Sequence, residues 1–149
     1  MFHVGIVVPD LEAGQARLTE LLGIVWGPVI EGELPVRGGD GNDLVLPNRI
    51  CYSTEAPYLE LIEEQPGTPW VCNQHSNLHH IGFFSDALAA DSRHLAQARC
   101  PLEISGRDDR AAPAMFTYHR DPLGVRVEYV DAAVRPGMEL FMCKPPAGM

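Results

Sequence analysis

The sequence lacks a long hydrophobic run and an excess of positive charge, and each absence argues against a class of protein. No stretch of about 18 apolar residues occurs, so no membrane-spanning helix is expected. The net charge of −9 argues against nonspecific binding to nucleic acid or to an anionic membrane surface.

Paired cysteines are also missing. The four cysteines lie far apart and form no CxxC motif, a spacing typical of neither a zinc ribbon nor a dense disulfide framework. The chain starts on the strand-like FHVGIVV, without a basic segment followed by an apolar one, so no secretory signal is expected. We therefore predict a cytoplasmic protein with reduced thiols at Cys51, Cys72, Cys100 and Cys143.

What is present is typical of a soluble globular chain. The length of 149 residues predicts about one domain, and it is enough to bury a core without disulfides or metals as staples. The apolar fraction of 46% and the charged fraction of 21% are both ordinary for this class.

The first half of the chain predicts a strand, a helix and further strands. HVGIVV is apolar and β-branched, and a helix follows in which Asp10 can cap the start and Gly23 can end the last turn. Residues 28–47 are rich in Gly, Pro and Asp, and their clearest loop is RGGDGND. RICYS and YLELIEE then predict two strands joined by a turn.

The second half repeats this order. LHHIGFF predicts a strand, and the helix that follows can be capped by Ser85 or Asp86. The further predicted strands are LEISG, AMFTYHR and VRVEYVD. The tail, residues 132–149, has no clear assignment.

The two halves share a common opening. FHVGIVVPDLEA matches HHIGFFSDALAA with His3 opposite His80 and Gly5 opposite Gly82. We therefore predict an α+β domain over residues 1–149, built from two strand–helix–strand–strand–strand modules at about 1–66 and about 77–131. A functional site is expected between such repeats.

Two glutamates stand in the middle of matching apolar strands. Glu60 is central in YLELIEE and Glu128 in VRVEYVD, and a carboxylate there is expensive to bury unless it is paired or binds a metal. With His3 and His80 they supply two imidazoles and two carboxylates, a set that suits Ni, Co, Mn, Fe or Zn. Each residue alone is more often solvated or hydrogen-bonded, so the metal interpretation rests on all four together with the repeat.

Two further residues are candidates for substrate binding. Arg49 begins a strand, where its guanidinium could clamp a carboxylate or phosphate; a surface arginine is the equally plain alternative. His119 precedes the DPLG turn and could donate a hydrogen bond to substrate, although a structural histidine is more common at such a place.

The motifs HVGIVVPDLEA, YLELIEE, LHHIGFF and DPLGVRVEYV resemble the vicinal oxygen chelate superfamily. This group includes glyoxalase I, methylmalonyl-CoA epimerase, extradiol dioxygenases and bleomycin-resistance proteins. The resemblance covers about residues 2–131, and the opening and the HHI strand are nearest the epimerase branch.

This resemblance implies a fold, a metal site and a quaternary state. Two βαβββ modules would form a cupped half-barrel of mixed sheet around a divalent metal held by His3, Glu60, His80 and Glu128. The ligand set matches bacterial glyoxalase I in residue type, whereas epimerases more often have glutamine in place of Glu60. The resemblance also implies a small-molecule substrate and a homodimer.

The implied activity is a metal-dependent lyase or isomerase that removes a proton next to a carbonyl through a metal-stabilised enediolate. Glu128 is the first candidate for the base and Glu60 the second. The epimerases carry a second acid on the third strand of the first module, where this chain has NRICYS and no acid, although Asp43 or Glu55 could lie nearby.

Two alternatives remain open. One is a non-catalytic, antibiotic-type binding protein, a branch that typically lacks the metal ligands. The other is an Fe(II) extradiol dioxygenase, which would use His3, His80 and Glu128 and leave Glu60 spare.

Overall fold

A computed structural model describes residues 1–142 and has the predicted α+β composition. Its eight strands are His3–Val8 (β1), Ile30–Gly38 (β2), Asp43–Tyr52 (β3), Tyr58–Glu63 (β4), Leu78–Ser85 (β5), Leu102–Gly106 (β6), Ala114–Arg120 (β7) and Arg126–Asp131 (β8). Its helices are Leu11–Leu22 (α1), Leu88–Gln97 (α2) and Arg135–Phe141 (α3), with a short 3-10 helix at Ala132–Val134. The tail thus begins with helical turns, and Cys143 lies outside the described residues.

The strands form one mixed sheet in the order β1-β4-β3-β2-β6-β7-β8-β5. β1 pairs in parallel with β4, and β5 pairs in parallel with β8. Backbone hydrogen bonds also join Phe2 N to Gly82 O at 2.7 Å and Val7 N to Asn77 O at 2.9 Å. The predicted mixed sheet is confirmed.

The chain divides into two compact units. The first unit comprises His3–Gly32, Pro47–His79 and the described part of 136–149. The second unit comprises Met1–Phe2, Glu33–Leu46 and His80–Arg135. The segment 33–46 therefore groups with the second half of the sequence, although its position in the chain is in the first.

The core of the first unit lies between α1 and one face of the sheet. Leu11 of α1, Cys51 of β3 and Leu61 of β4 are fully buried against one another. Alternation along a strand then directs their neighbours Tyr52 and Glu60 to the opposite face. The packing of α1 thereby decides which side chains line the other side of the sheet.

Both ends of α1 follow the predicted chemistry. The Asp10 carboxylate accepts a hydrogen bond from Ala13 N at 2.7 Å, and Gly23 adopts a left-handed conformation with φ of 68°. At α2 the predicted cap is wrong in detail. Ala87 occupies the cap position without a side-chain cap, while the Ser85 hydroxyl accepts from Ala87 N and donates to Asp91 at 2.5 Å.

The segment 28–47 is more regular than its composition indicated. β2 and the start of β3 form the two arms of a hairpin, and within this segment only residues 28–29 and 39–42 lie outside strands. β2 is hydrogen-bonded to β6, with Val36 opposite Gly106. Val36 is completely buried, so packing supplies the strand preference that Gly and Pro weaken.

Three of the four cysteines are described, and Cys51, Cys72 and Cys100 are all free thiols. Burial raises the pKa of the Cys51 thiol to about 11, and that of Cys72 also to about 11. Among the described residues, none of the helices has both the length and the apolar character needed to cross a bilayer.

Candidate functional site

The first candidate pair joins the start of β1 to the middle of β4. Gly5 stands opposite Glu60 in the parallel register, and His3 lies two residues earlier on the same face of β1. His3 Nε2 lies 3.3 Å from Glu60 Oε2. Both side chains are buried, with 0% and 5% of their surface exposed.

Tyr52 completes this arrangement from the neighbouring strand. It pairs directly with Glu60 across the antiparallel β3–β4 ladder. Its hydroxyl donates to Glu60 Oε1 at 2.7 Å, so the two oxygens of one carboxylate meet different partners. The ring also meets the His3 imidazole edge to face, with centroids 5.7 Å apart.

The second candidate pair has the same construction. Gly82 of β5 stands opposite Glu128 of β8 in parallel register, and His80 lies two residues before Gly82. His80 Nε2 lies 3.1 Å from Glu128 Oε2, and both side chains are buried. Tyr118 pairs with Glu128 across β7–β8, and its ring lies 5.0 Å from the His80 ring.

The two pairs are therefore equivalent in sequence offset, strand direction and contact. In each, an imidazole nitrogen faces a carboxylate oxygen from a parallel neighbouring strand. Each pair offers one imidazole nitrogen and one carboxylate oxygen as possible metal ligands, from the buried His3 and Glu60 in the first unit and from the buried His80 and Glu128 in the second. Two nitrogens and two carboxylate oxygens fit a divalent first-row transition ion or zinc.

His79 lies in a different environment from its neighbour His80. It points to the other face of β5, as alternation requires, and its Nε2 lies 2.8 Å from the carbonyl oxygen of Pro69. This contact fastens the start of β5 to the connection that precedes it. His79 is buried, and this position favours a structural role for it in the first unit.

Arg49 stands at the centre of an ion-pair cluster in the first unit. Its guanidinium contacts Glu63 at 2.8 Å, Glu31 at 3.4 Å and the Glu12 carboxylate through a short bidentate contact. The hydrogen bonds from Arg49 hold the pKa of Glu12 below its ordinary value. Three carboxylates already surround the cation, an arrangement that favours bracing α1 against β3 and β4 over the predicted substrate clamp.

His119 is also engaged inside the protein. Its side chain is completely buried, with Nδ1 2.8 Å from the carbonyl of Cys100 and Nε2 2.9 Å from the Ser92 hydroxyl. Burial lowers the pKa of the imidazole below its ordinary 6.5. Both ring nitrogens are used to join β7 to α2 and its following turn, which favours a structural role over the predicted contact with substrate.

Tyr52 and Tyr118 were missed as site residues by sequence reasoning. Each lies on the strand just before its glutamate strand, within RICYS and AMFTYHR. Both strand motifs contain a tyrosine, and this shared residue is the feature of the sequence that marks the two positions as equivalent. Its meaning depends on the register, which pairs Tyr52 with Glu60 and Tyr118 with Glu128.

Comparison with known proteins gives one family and a set of similar folds. Residues 2–118 match the model of the Glyoxalase/Bleomycin resistance protein/Dioxygenase superfamily. No curated protein matches the sequence.

The similar solved structures include several methylmalonyl-CoA epimerases. One, solved with methylmalonyl-CoA and NH4+, is 19% identical over 88% of this chain and 92% of that chain, with a TM-score of 0.58. The epimerase from Mycobacterium tuberculosis is 19% identical over 91% and 89%, with a TM-score of 0.57. A Bacillus halodurans protein described as hypothetical is 15% identical over 87% and 91%, with a TM-score of 0.53. At these identities the likeness concerns the fold.

Proposed function

The chain belongs to the glyoxalase/bleomycin resistance protein/dioxygenase superfamily, and on that premise we propose that it is a metal-dependent lyase or isomerase. The family membership confirms the resemblance drawn from the sequence motifs. The proposed reaction removes a proton from a carbon next to a carbonyl in a small molecule that carries two neighbouring oxygens.

One observation supports this proposal above the others: the chain has two buried His–Glu pairs of the same construction. Burying a carboxylate is costly without a compensating charge or hydrogen bonds. A single accidental pair would not be repeated at the same offset on the corresponding strands of the other half. We propose that both pairs bind one divalent ion together, through His3, Glu60, His80 and Glu128.

The bound ion would act as a Lewis acid that stabilises negative charge developing on substrate oxygen. The chain's own residues would divide the remaining work. The imidazoles of His3 and His80 would serve as neutral ligands, and Glu60, held by Tyr52, would serve as a fixed carboxylate. Glu128 would take the proton from carbon, which places it first as general base and Glu60 second.

The described residues favour a mechanism with one base over one with two. An epimerase of the two-base type needs a second acid on the strand corresponding to β3. Near its end, the face of β3 that lies on the same side of the sheet as Glu60 carries Ile50 and Tyr52, and neither is an acid. Asp43, at the start of the strand, is held by Arg37 at 2.7 Å. A glyoxalase-like reaction is therefore the more specific form of the proposal.

The experiment is a solvent-exchange screen of the metal-loaded protein. Adducts of 2-oxo-aldehydes with thiols and acyl-CoA thioesters are incubated in D2O, and deuterium at the carbon next to the carbonyl is followed by NMR. We expect exchange with at least one substrate class, dependent on Ni(II), Co(II), Mn(II), Zn(II) or Fe(II). Glu128→Gln, which keeps a carbonyl oxygen as a ligand, is expected to bind metal but to lose exchange.

Three results would count against this function. Exchange by the chelator-treated protein at the same rate would contradict the metal requirement. Tight binding of an aromatic ligand by metal-free protein, with no turnover, would favour the binding-protein alternative. Oxygen uptake with a catechol that depends on Fe(II) would favour the dioxygenase.

A further inference from the structure

We propose that Tyr52 is a positioning residue that orients Glu60 as a metal ligand. This inference rests on the proposed function, since it presumes that Glu60 binds an ion. Tyr52 lies outside the proposed ligand set, and its proposed task is to fix the orientation of the Glu60 carboxylate. The juxtaposition that carries it is the buried group of Tyr52, Glu60 and His3.

The contacts divide the Glu60 carboxylate into two differently placed oxygens. Oε1 accepts the Tyr52 hydroxyl at 2.7 Å, and Oε2 lies 3.3 Å from His3 Nε2. A carboxylate can rotate about its last bond and can bind an ion through either oxygen or through both. The hydrogen bond to Oε1 restricts that rotation and directs Oε2 toward the imidazole.

Tyr52 is itself held firmly by its backbone. It stands opposite Glu60 in the β3–β4 ladder, and its carbonyl accepts a hydrogen bond from Gly27 N at 2.8 Å. An isolated bridge between Trp26 and Ser53 secures the next residue. Gly27 must be a glycine, because a Cβ there would lie 1.9 Å from the carbonyl oxygen of Phe141. The backbone of Tyr52 is therefore fixed, and its phenol hydroxyl donates to Glu60 from a defined position.

Buried hydrogen-bond partners of this kind have a measurable effect on metal sites. Carboxylate ligands are commonly hydrogen-bonded by neighbouring residues, and loss of such a partner typically weakens metal binding by about 10–100-fold. Tyr52 is only 4% exposed, so water cannot readily take the place of its hydroxyl. Removing that hydroxyl should release the carboxylate without removing a ligand.

The test compares Tyr52→Phe with Tyr129→Phe, each of which deletes one hydroxyl. Tyr129 lies on the face of β8 opposite to Glu128, where its ring packs near the Phe83 ring with centroids 6.3 Å apart. Co(II) serves as the probe, because its visible absorption reports both affinity and ligand arrangement. We expect the Co(II) Kd of Tyr52→Phe to rise about 10–100-fold with altered absorption bands. Tyr129→Phe should match the wild type in both.

Thermal unfolding of the metal-free variants separates positioning from folding. If Tyr52→Phe unfolds cooperatively yet keeps the wild-type Kd and spectrum, the inference is overturned while the proposed function stands. If the wild type binds no Co(II), the proposed function and this inference fail together. If Tyr129→Phe weakens binding as much as Tyr52→Phe, the effect is a general loss of packing and the inference also fails.

Discussion

At the scale of single residues, strand alternation gives two adjacent histidines different environments. His80 faces Glu128, whereas His79 contacts the carbonyl of Pro69 on the other side of β5. The match between the two halves of the sequence already predicted that His80 is the equivalent of His3. The hydrogen-bond partner of His79 was not predictable, because it comes from an irregular connection with no periodic pattern.

The adjacent histidines provide a matched pair of variants. We expect His80→Ala to abolish divalent metal binding, because it removes a proposed ligand, and His79→Ala to leave one ion bound. Metal content after equilibration with excess Co(II) and gel filtration measures both. Both variants must first give a folded circular dichroism spectrum. Equal metal content in the two variants would contradict the assignment of His80.

His119 should make stability sensitive to acid. Burial lowers its pKa in the folded state, so the unfolded chain binds the proton more readily. The stability that depends on a neutral His119 is fully present above about pH 6.5, the ordinary pKa of the unfolded chain. It is lost as the pH falls from there through the lower pKa of the folded state. The free energy of unfolding should decrease by at most about 1.4 kcal/mol per pH unit from this group.

Urea unfolding of the metal-free protein between pH 7 and pH 5 measures this dependence. His119→Gln should start from a lower stability but show a shallower slope than the wild type. Gln97→Ala, which changes an exposed residue of α2 that cannot titrate, should keep the wild-type slope. Identical slopes for His119→Gln and the wild type would show that His119 does not contribute.

At the scale of elements, local chemistry predicted α1 better than α2. Asp10 and Gly23 are strong signals for a helix start and end, and both have the expected geometry. At α2, Ser85 is occupied by its contact with Asp91, so the helix starts without a side-chain cap. The hairpin of β2 and β3 was not recognised, because Pro and Gly in 28–47 mask a strand that pairing and burial stabilise.

The two helix starts give a prediction about stability. Asp10→Ala should lower the free energy of unfolding by about 1 kcal/mol, because it leaves Ala13 N without its partner. Asp86→Ala should change it by less than about 0.5 kcal/mol, because Asp86 is exposed and does not cap α2. Chemical denaturation of both variants tests this, and an equal loss in the two would contradict the assignment of the caps.

At the scale of the whole molecule, the internal repeat carried most of the information. It predicted the α+β class and the equivalent positions of His3 and His80, and family membership followed from the same motifs. Corresponding strands of a repeat can be recognised in the sequence because they bury corresponding faces and therefore share a hydrophobic pattern. The engagement of Arg49 by three glutamates could not be read this way, because it depends on side chains from three separate elements.

Metal binding should raise the stability of the folded chain. An ion present at 100 times its Kd adds about 2.7 kcal/mol when it binds only the folded state, which corresponds to roughly 5–10 °C in Tm for a chain of this size. A thermal scan with and without Co(II) should show this increase in the wild type, and a chelator should reverse it. His80→Ala should show no increase; an equal increase in that variant would place the ion elsewhere.

We propose that the two His–Glu pairs share one ion, and the stoichiometry of Co(II) binding distinguishes this arrangement from two separate sites. Calorimetric titration of metal-free protein should give one ion per chain for the wild type. It should give none for either His3→Ala or His80→Ala, because each variant removes a ligand from a common site. Two ions per chain, or one retained ion in either variant, would show that the two pairs bind metal independently and would rule out a shared ion.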